Sequence, residues 1–196
     1  EYGLAPIYST QSPLVDSEYM ATQGIAAMGG GSISIQTGGS FLSQAGTFGT
    51  GDLTIQSGGD MDGRFLNKEG NLVLSSLGSI GTLNNGQAIE AFDSQILVSA
   101  QGDITLGGVV NPTLTAYIAE DRETPLCDVW DSYAWNLTYT EQSSASFLSR
   151  TGSITFSGNY AQIDDVNLHY GSKTSVLPAS LTMRAAQDID LGKSYT

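Results

Sequence analysis

The sequence predicts an all-β fold, a right-handed parallel β-helix (solenoid) with coils of about twenty residues and one inserted loop. Three observations predict it. A phrase recurs: Gly31-Ser-Ile-Ser-Ile-Gln-Thr-Gly-Gly-Ser40, then Gly51-Asp-Leu-Thr-Ile-Gln-Ser-Gly-Gly-Asp60, then Gly70-Asn-Leu-Val-Leu-Ser-Ser-Leu-Gly-Ser79. The starts lie 20 and 19 positions apart (51 − 31 and 70 − 51). Inside each copy the apolar residues alternate, as in Ile33 and Ile35, Leu53 and Ile55, Leu72 and Leu74. Alternation of period two marks a strand with one buried face. Gly-rich turns bound each run, which keeps the strands short.

Residues 1–28 form a lead-in or end coil, atypical for its Tyr2, Tyr8, Tyr19 and two prolines. Residues 29–118 are regular coils. Residues 119–134 are the inserted loop, without any repeat signature, and 135–196 hold further coils. More copies of the first phrase fall at Ser94–Asp103, Gly152–Gly158 and Ala179–Asp188, adding Ile96 and Val98, Ile154 and Phe156, Leu181 and Met183 to the frame. A second phrase lies between them: Ser40-Phe-Leu-Ser-Gln-Ala-Gly46, Arg64-Phe-Leu-Asn-Lys-Glu-Gly70 and Ser146-Phe-Leu-Ser-Arg-Thr-Gly152. A third pairs Gly102-Asp-Ile-Thr-Leu-Gly107 with Gln187-Asp-Ile-Asp-Leu-Gly192.

Stacked coils lie about 4.8 Å apart and exchange backbone hydrogen bonds. Ile33 is then expected over Leu53, and Leu53 over Leu72. Gly31, Gly51, Gly70 and Gly152 serve corners that need positive φ or close backbone approach. The pairs Phe41-Leu42, Phe65-Leu66 and Phe147-Leu148 fill the wider end of the cross-section as core. The 58 positions from Ser94 to Gly152 leave room for two coils plus an insertion, with Thr113–Ile118 and Trp135–Tyr139 as the missing strands. A second break, Ala161 to Pro178, holds Val166–Tyr170.

A helix fails as an alternative, since glycine costs about 1 kcal/mol in a helix interior and recurs every few residues here. An up-and-down barrel needs tight hairpins, whereas equivalent strands recur here only after a whole coil. At 40% hydrophobic residues the chain is too apolar to be disordered. Its 24 Gly against 5 Pro show no collagen period.

The net charge of −13 repels phosphate backbones and anionic membranes, which excludes nucleic acid as a partner. No apolar stretch is long enough to span a bilayer, so no membrane insertion is expected. The single cysteine, Cys127, allows no internal disulfide, which suits a secreted bacterial protein that crosses membranes unfolded. Flanked by Leu126, Val129 and Trp130, it is expected to be a buried, inert thiol. The chain begins at Glu1 rather than Met, as a mature chain or a fragment of a longer protein would.

Catalysis is not expected. The one histidine, His169, falls on the solvent parity of its strand, and no Gly-x-Ser-x-Gly elbow is present. Carboxylates for glycoside hydrolysis exist at Asp93, Asp103, Asp128, Asp131, Asp164 and Asp165. A lyase acting on acidic sugars needs clustered bases, and Arg64, Arg122, Arg150 and Arg184 are scattered. No cofactor or metal is expected. Asp60 and Asp62 are spaced like calcium ligands, but the closing Glu of an EF-hand is missing, and Asp164-Asp165 is no better. The non-repeat feature with most binding chemistry is the loop, where Trp130 and Tyr133 lie between Asp128 and Asp131. Exposed rings with carboxylates stack on a neutral glycan or anchor a protein contact. The competing reading folds the loop back as a clasp that buries Trp130 and Cys127, with Trp135 as core.

The phrases Gly51–Asp60, Gly63-Arg-Phe-Leu-Asn67 and Gly102–Leu106 resemble the repeats of the filamentous haemagglutinin family, exoproteins that Gram-negative bacteria secrete by the two-partner route. The resemblance covers residues 29 to 107 well and 146 to 192 loosely. It implies a β-helical stalk, a secreted or cell-surface location and an outer-membrane transporter as partner during secretion. The expected function is a non-catalytic stalk or adhesin segment that presents a rigid surface to a glycan or protein on a host or neighbouring cell. The alternative is a carbohydrate-binding or carbohydrate-processing β-helix that uses the 119–135 loop.

Overall fold

In the computed structural model, residues 24–81, 88–110, 140–157, 178 and 180–192 are described. They are all-β, with no helix among them. The strands are β1 (Gly24–Ala27), β2 (Ile33–Thr37), β3 (Phe41–Leu42), β4 (Gln44–Thr50), β5 (Leu53–Ser57), β6 (Met61–Asp62) and β7 (Phe65–Ser76). They continue as β8 (Ala88–Ala100), β9 (Ile104–Leu106), β10 (Gly108–Val110), β11 (Ser144–Ser149), β12 (Ile154–Phe156), β13 (Ser180–Ala185) and β14 (Ile189–Asp190). Every pairing among them is parallel.

The pairings form three ladders. In the first, Ile33, Leu53, Leu72, Ile96, Ala145 and Leu181 stand one beside the next, as do Ile35, Ile55, Leu74, Val98, Phe147 and Met183. In the second the order is Ile25, Ala45, Phe65, Ile89 and Val109. In the third it is Phe41, Met61, Ile80, Ile104, Ile154 and Ile189. From β1 to β12 the described strands run through the second, first and third ladders in that order and then begin again, so β7 and β8 each pass from the second ladder into the first, and β13 and β14 continue the first and third.

The alternation explains the core. Leu53, Ile55, Leu72, Leu74, Ile80, Ile89, Ile96, Ile104, Phe147 and Ile154 are fully enclosed and belong to one apolar cluster. Each such aliphatic side chain stabilises the fold by about 1.5–3 kcal/mol. Sequence neighbours face outward, such as Gln56 beside Ile55 and Gln95 beside Ile96, which are exposed. The ladder is possible only where backbones approach closely at the turns. Gly70 has φ 130, and a Cβ there would lie 2.5 Å from the Gly51 carbonyl oxygen. A Cβ on Gly152 would lie 2.9 Å from the Asp103 backbone nitrogen.

The expected stacking of Ile33 on Leu53 on Leu72 is what the pairing gives. Three expectations are corrected. The Phe-Leu pairs do not share one place in the cross-section: Phe41 stands beside Met61, Phe65 beside Ala45, and Phe147 beside Val98. All three rings are buried, but Leu42 is 72% exposed, because β3 turns its second residue outward. The rings still meet across ladders, with Phe41 and Phe65 centroids 6.3 Å apart and Phe147 edge-on to Phe156 at 5.3 Å. Secondly, Ile154 and Phe156 do not continue the frame of Ile33 and Ile35. They pair with Ile104 and Leu106 in the third ladder, and Ala145 and Phe147 take the frame instead. Thirdly, β8 pairs directly with β11, and β9 with β12, so no row intervenes between them on either ladder. The segments 113–118 and 135–139, the lead-in 1–22 and the strand at 166–170 lie outside the described residues.

Leu72→Ala is expected to lower the unfolding free energy by about 2–5 kcal/mol, because the removed atoms leave a cavity between two rows. Leu77, 71% exposed, is the control, and Leu77→Ala should change it by less than about 0.5 kcal/mol. Urea titration followed by circular dichroism separates the two.

Candidate functional site

The residues singled out for binding, Asp128, Asp131, Trp130 and Tyr133, lie outside the described residues. So do Cys127, Trp135, His169, Asp164 and Asp165. The described polar residues form three arrangements, each a product of the stacking.

The first is a staircase at the corner that leads into the third ladder. Asp60 Oδ1 accepts the Ser79 N–H at 2.9 Å, and Ser79 Oγ accepts the Asp103 N–H at 3.1 Å. Asp103 Oδ1 then accepts the Ser153 N–H at 2.8 Å, and Ser153 Oγ the Asp188 N–H at 3.3 Å. A second staircase enters the first ladder: Ser32 Oγ accepts the Asp52 N–H, and Asp52 Oδ1 accepts both N–H groups of Asn71, its backbone and its side-chain amide. Each acceptor satisfies a backbone donor of the following row that the turn leaves without a ladder partner. The signal was present in the repeats, since a Ser, Asp or Asn stands just before the first apolar residue in every copy except Ser94–Asp103, which has Gln95 there. The acids Asp60 and Asp103, candidates for calcium and for sugar chemistry, are thus used as structural acceptors.

The second arrangement is buried. Asn67 is fully enclosed where the second ladder turns into the first. Its Nδ2 donates to Thr47 Oγ1 at 2.6 Å and to the Gly51 carbonyl at 2.8 Å, and Ser94 Oγ donates to its Oδ1 at 2.6 Å. Asp93, another candidate acid, lies close by in β8 and accepts hydrogen bonds from Thr140 Oγ1 at 2.6 Å and Ser143 Oγ at 2.7 Å. Those bonds hold the segment leading into β11 against β8.

The third is an ion pair that sequence reasoning missed. Glu90 lies between the inward-facing Ile89 and Ala91, so its side chain leaves the outer side of the second ladder, yet it is buried. Arg64 Nη2 donates to Glu90 Oε1 at 2.8 Å. Leu66, the register neighbour of Glu90, is buried too. Burial pushes the Glu90 carboxyl from 4.5 up to about 8, while the Arg64 charge and hydrogen bond pull it down. No local pattern announces this pair, because the two residues are 26 apart and meet only through the register.

Among the described residues no group of three or more His, Cys, Asp and Glu could hold a metal ion, and no helix is long and apolar enough to cross a membrane. The chain matches no protein-family model, no curated protein and no solved structure. Chemically, Asp52, Asp60 and Asp103 accept N–H groups of the following row, Asp93 accepts hydroxyls, and Glu90 accepts a guanidinium.

Asn67→Ala is expected to destabilise the chain by about 2–3 kcal/mol, since it strands buried partners, against about 1 kcal/mol for the exposed Asp103→Ala. Chemical denaturation of both variants checks the order. Glu90 generates a pH dependence. Between 4.5 and about 8 the folded chain keeps a proton there that the unfolded chain has lost. Its contribution to stability is therefore full at low pH and declines as pH rises toward 8. Glu90→Gln should flatten that decline, as read from unfolding midpoints at a series of pH values.

Proposed function

We propose that the three ladders are the sides of a right-handed parallel β-helix, and that this chain is a non-catalytic stalk or adhesin segment of a secreted bacterial surface exoprotein of the filamentous haemagglutinin kind. One observation carries the reading: the chain returns to the same three parallel ladders in the same order, with partners 19 or 20 residues apart in the first rows. Parallel neighbours require a crossover between them, and such crossovers are right-handed in about 98% of cases. A structure wound this way resists bending, because bending breaks backbone hydrogen bonds row by row. The acidic side chains that remain outward keep an extended surface soluble. Recognition then falls to the outer faces and to any loop that leaves them, and the partner is a glycan or protein on another cell.

Beads coated with the chain are expected to bind host or neighbouring bacterial cells, and excess soluble chain should compete the binding away. Retention no better than that of beads bearing an unrelated acidic protein would remove the adhesive role.

A further inference from the structure

We propose, resting on the adhesive reading above, that the outer face of the first ladder is the surface that adheres, and that it docks an acidic protein surface carrying aliphatic side chains. Thr54, Val73, Leu97 and Ser146 stand in one outward column of that face, and Gln56, Ser75, Ser99 and Leu148 in the next. Leu77, Gln101 and Arg150 follow at the corner, where their N–H groups reach the carbonyls of Ser57, Ser76 and Ala100 in the row before. Each of these rows has a paired row on both sides, so the exposure of the face does not depend on where the stack ends. Leu97 is nevertheless 45% exposed and Leu77 71% exposed. Val73 and Leu148, on the rows adjoining Leu97, are half-buried. The hydroxyls among them are turned on each other, with Ser99 Oγ donating to Ser75 Oγ at 3.3 Å. Exposed apolar side chains gathered in one patch with a polar rim mark an interaction surface.

Charge chooses the occupant. The chain carries 20 acids against 7 bases, yet no Asp or Glu stands at any of these positions. The acids at the corners that bound the face are engaged, Asp52 by Asn71 and Asp103 by Ser153. The charges that the face does present are positive: Arg150, and Arg184, the register neighbour of Leu148, both of them exposed. On a chain of net charge −13, an acid-free face edged by arginine is where an acidic partner can approach. Side-chain type then chooses protein over glycan. Aromatic faces are what stack on sugar rings, and none of these positions is Trp, Tyr, Phe or His. Exposed leucines gain only by burial against other apolar surface, which a protein supplies and a hydroxyl-covered glycan does not. A patch poor in acids and edged by arginine is also the composition of protein–protein contacts.

Retention of cells on beads bearing the chain Glu1–Thr196 tests this. Leu97→Asp and Arg150→Glu should each lower retention about tenfold with circular dichroism unchanged. Leu42→Asp, at a 72% exposed leucine of the third ladder, should leave retention as it is. Protease treatment of the cells should abolish retention, periodate oxidation of their glycans should spare it, and added salt should weaken it. Should Leu97→Asp lose its β signal, Leu77→Asp, in the turn after β7, takes its place. A wild type that retains no cells removes the adhesive reading and this face together. Retention unchanged in the folded variants leaves adhesion standing and overturns the face. Retention that survives protease, or is lost to periodate, overturns the protein partner. Self-association of the wild type in sedimentation velocity, abolished by Leu97→Asp, overturns it as well, by giving the face to a second copy of the chain.

Discussion

The structure depends on one constraint: every backbone N–H and C=O in a row has to find its partner in the rows on either side. A strand within a hairpin can meet part of that need from its immediate neighbour in sequence. Here the partner is always a turn away, so the register of one row dictates that of the next. Ile33 N–H reaches the Asp52 carbonyl at 2.8 Å, and Ile154 N–H reaches the Asp188 carbonyl at 2.9 Å by the same geometry. The apolar ladder is a consequence of that lock. Once the backbones are in register, Leu53, Leu72 and Ile96 have nowhere to go but over one another.

The same constraint explains the polar residues. Turns interrupt the ladder and leave donors without carbonyl partners, and burying such a donor unpaired is costly. Short acceptors fill the gap: Ser at 32, 79 and 153, Asp at 52, 60 and 103. Asn67 does the converse inside the core: its amide donates to the Gly51 carbonyl and to Thr47 and accepts from Ser94, so one side chain connects three rows. The Arg64–Glu90 pair is different in kind. It serves no backbone group, and its desolvation offsets much of its attraction. It makes the fold sensitive to pH.

Much of this was legible in the sequence because the repeat is local. Ile33, Leu53 and Leu72 follow identical turns at nearly constant spacing, so the phrase alone aligned them. Legibility failed where spacing changed. Between β8 and β11 the register bridges about fifty residues, and the phrase Gly-Ser-Ile-Thr-Phe at 152–156 matched the wrong ladder. The physical reason is that the first and third ladders use nearly the same pattern, a polar corner residue followed by alternating apolar residues. Only the register tells them apart. The Phe-Leu phrase misled for the same cause, since Phe65 and Phe147 satisfy the burial rule equally well on different sides. Glu90 was invisible because its partner is distant in sequence. Of the candidate binding residues, Trp130 and its neighbours fall in a segment without repeats, where the ladder logic has nothing to say.

The central claim is the register itself, and contacts between side-chain methyl groups measure it most directly. In a sample labelled at Ala, Ile, Leu and Val methyls, nuclear Overhauser spectroscopy should show Leu72 touching both Leu53 and Ile96, and Ile96 touching Ala145. A spectrum in which Leu72 meets neither, or in which Ile96 meets Ile154 in place of Ala145, would contradict the account.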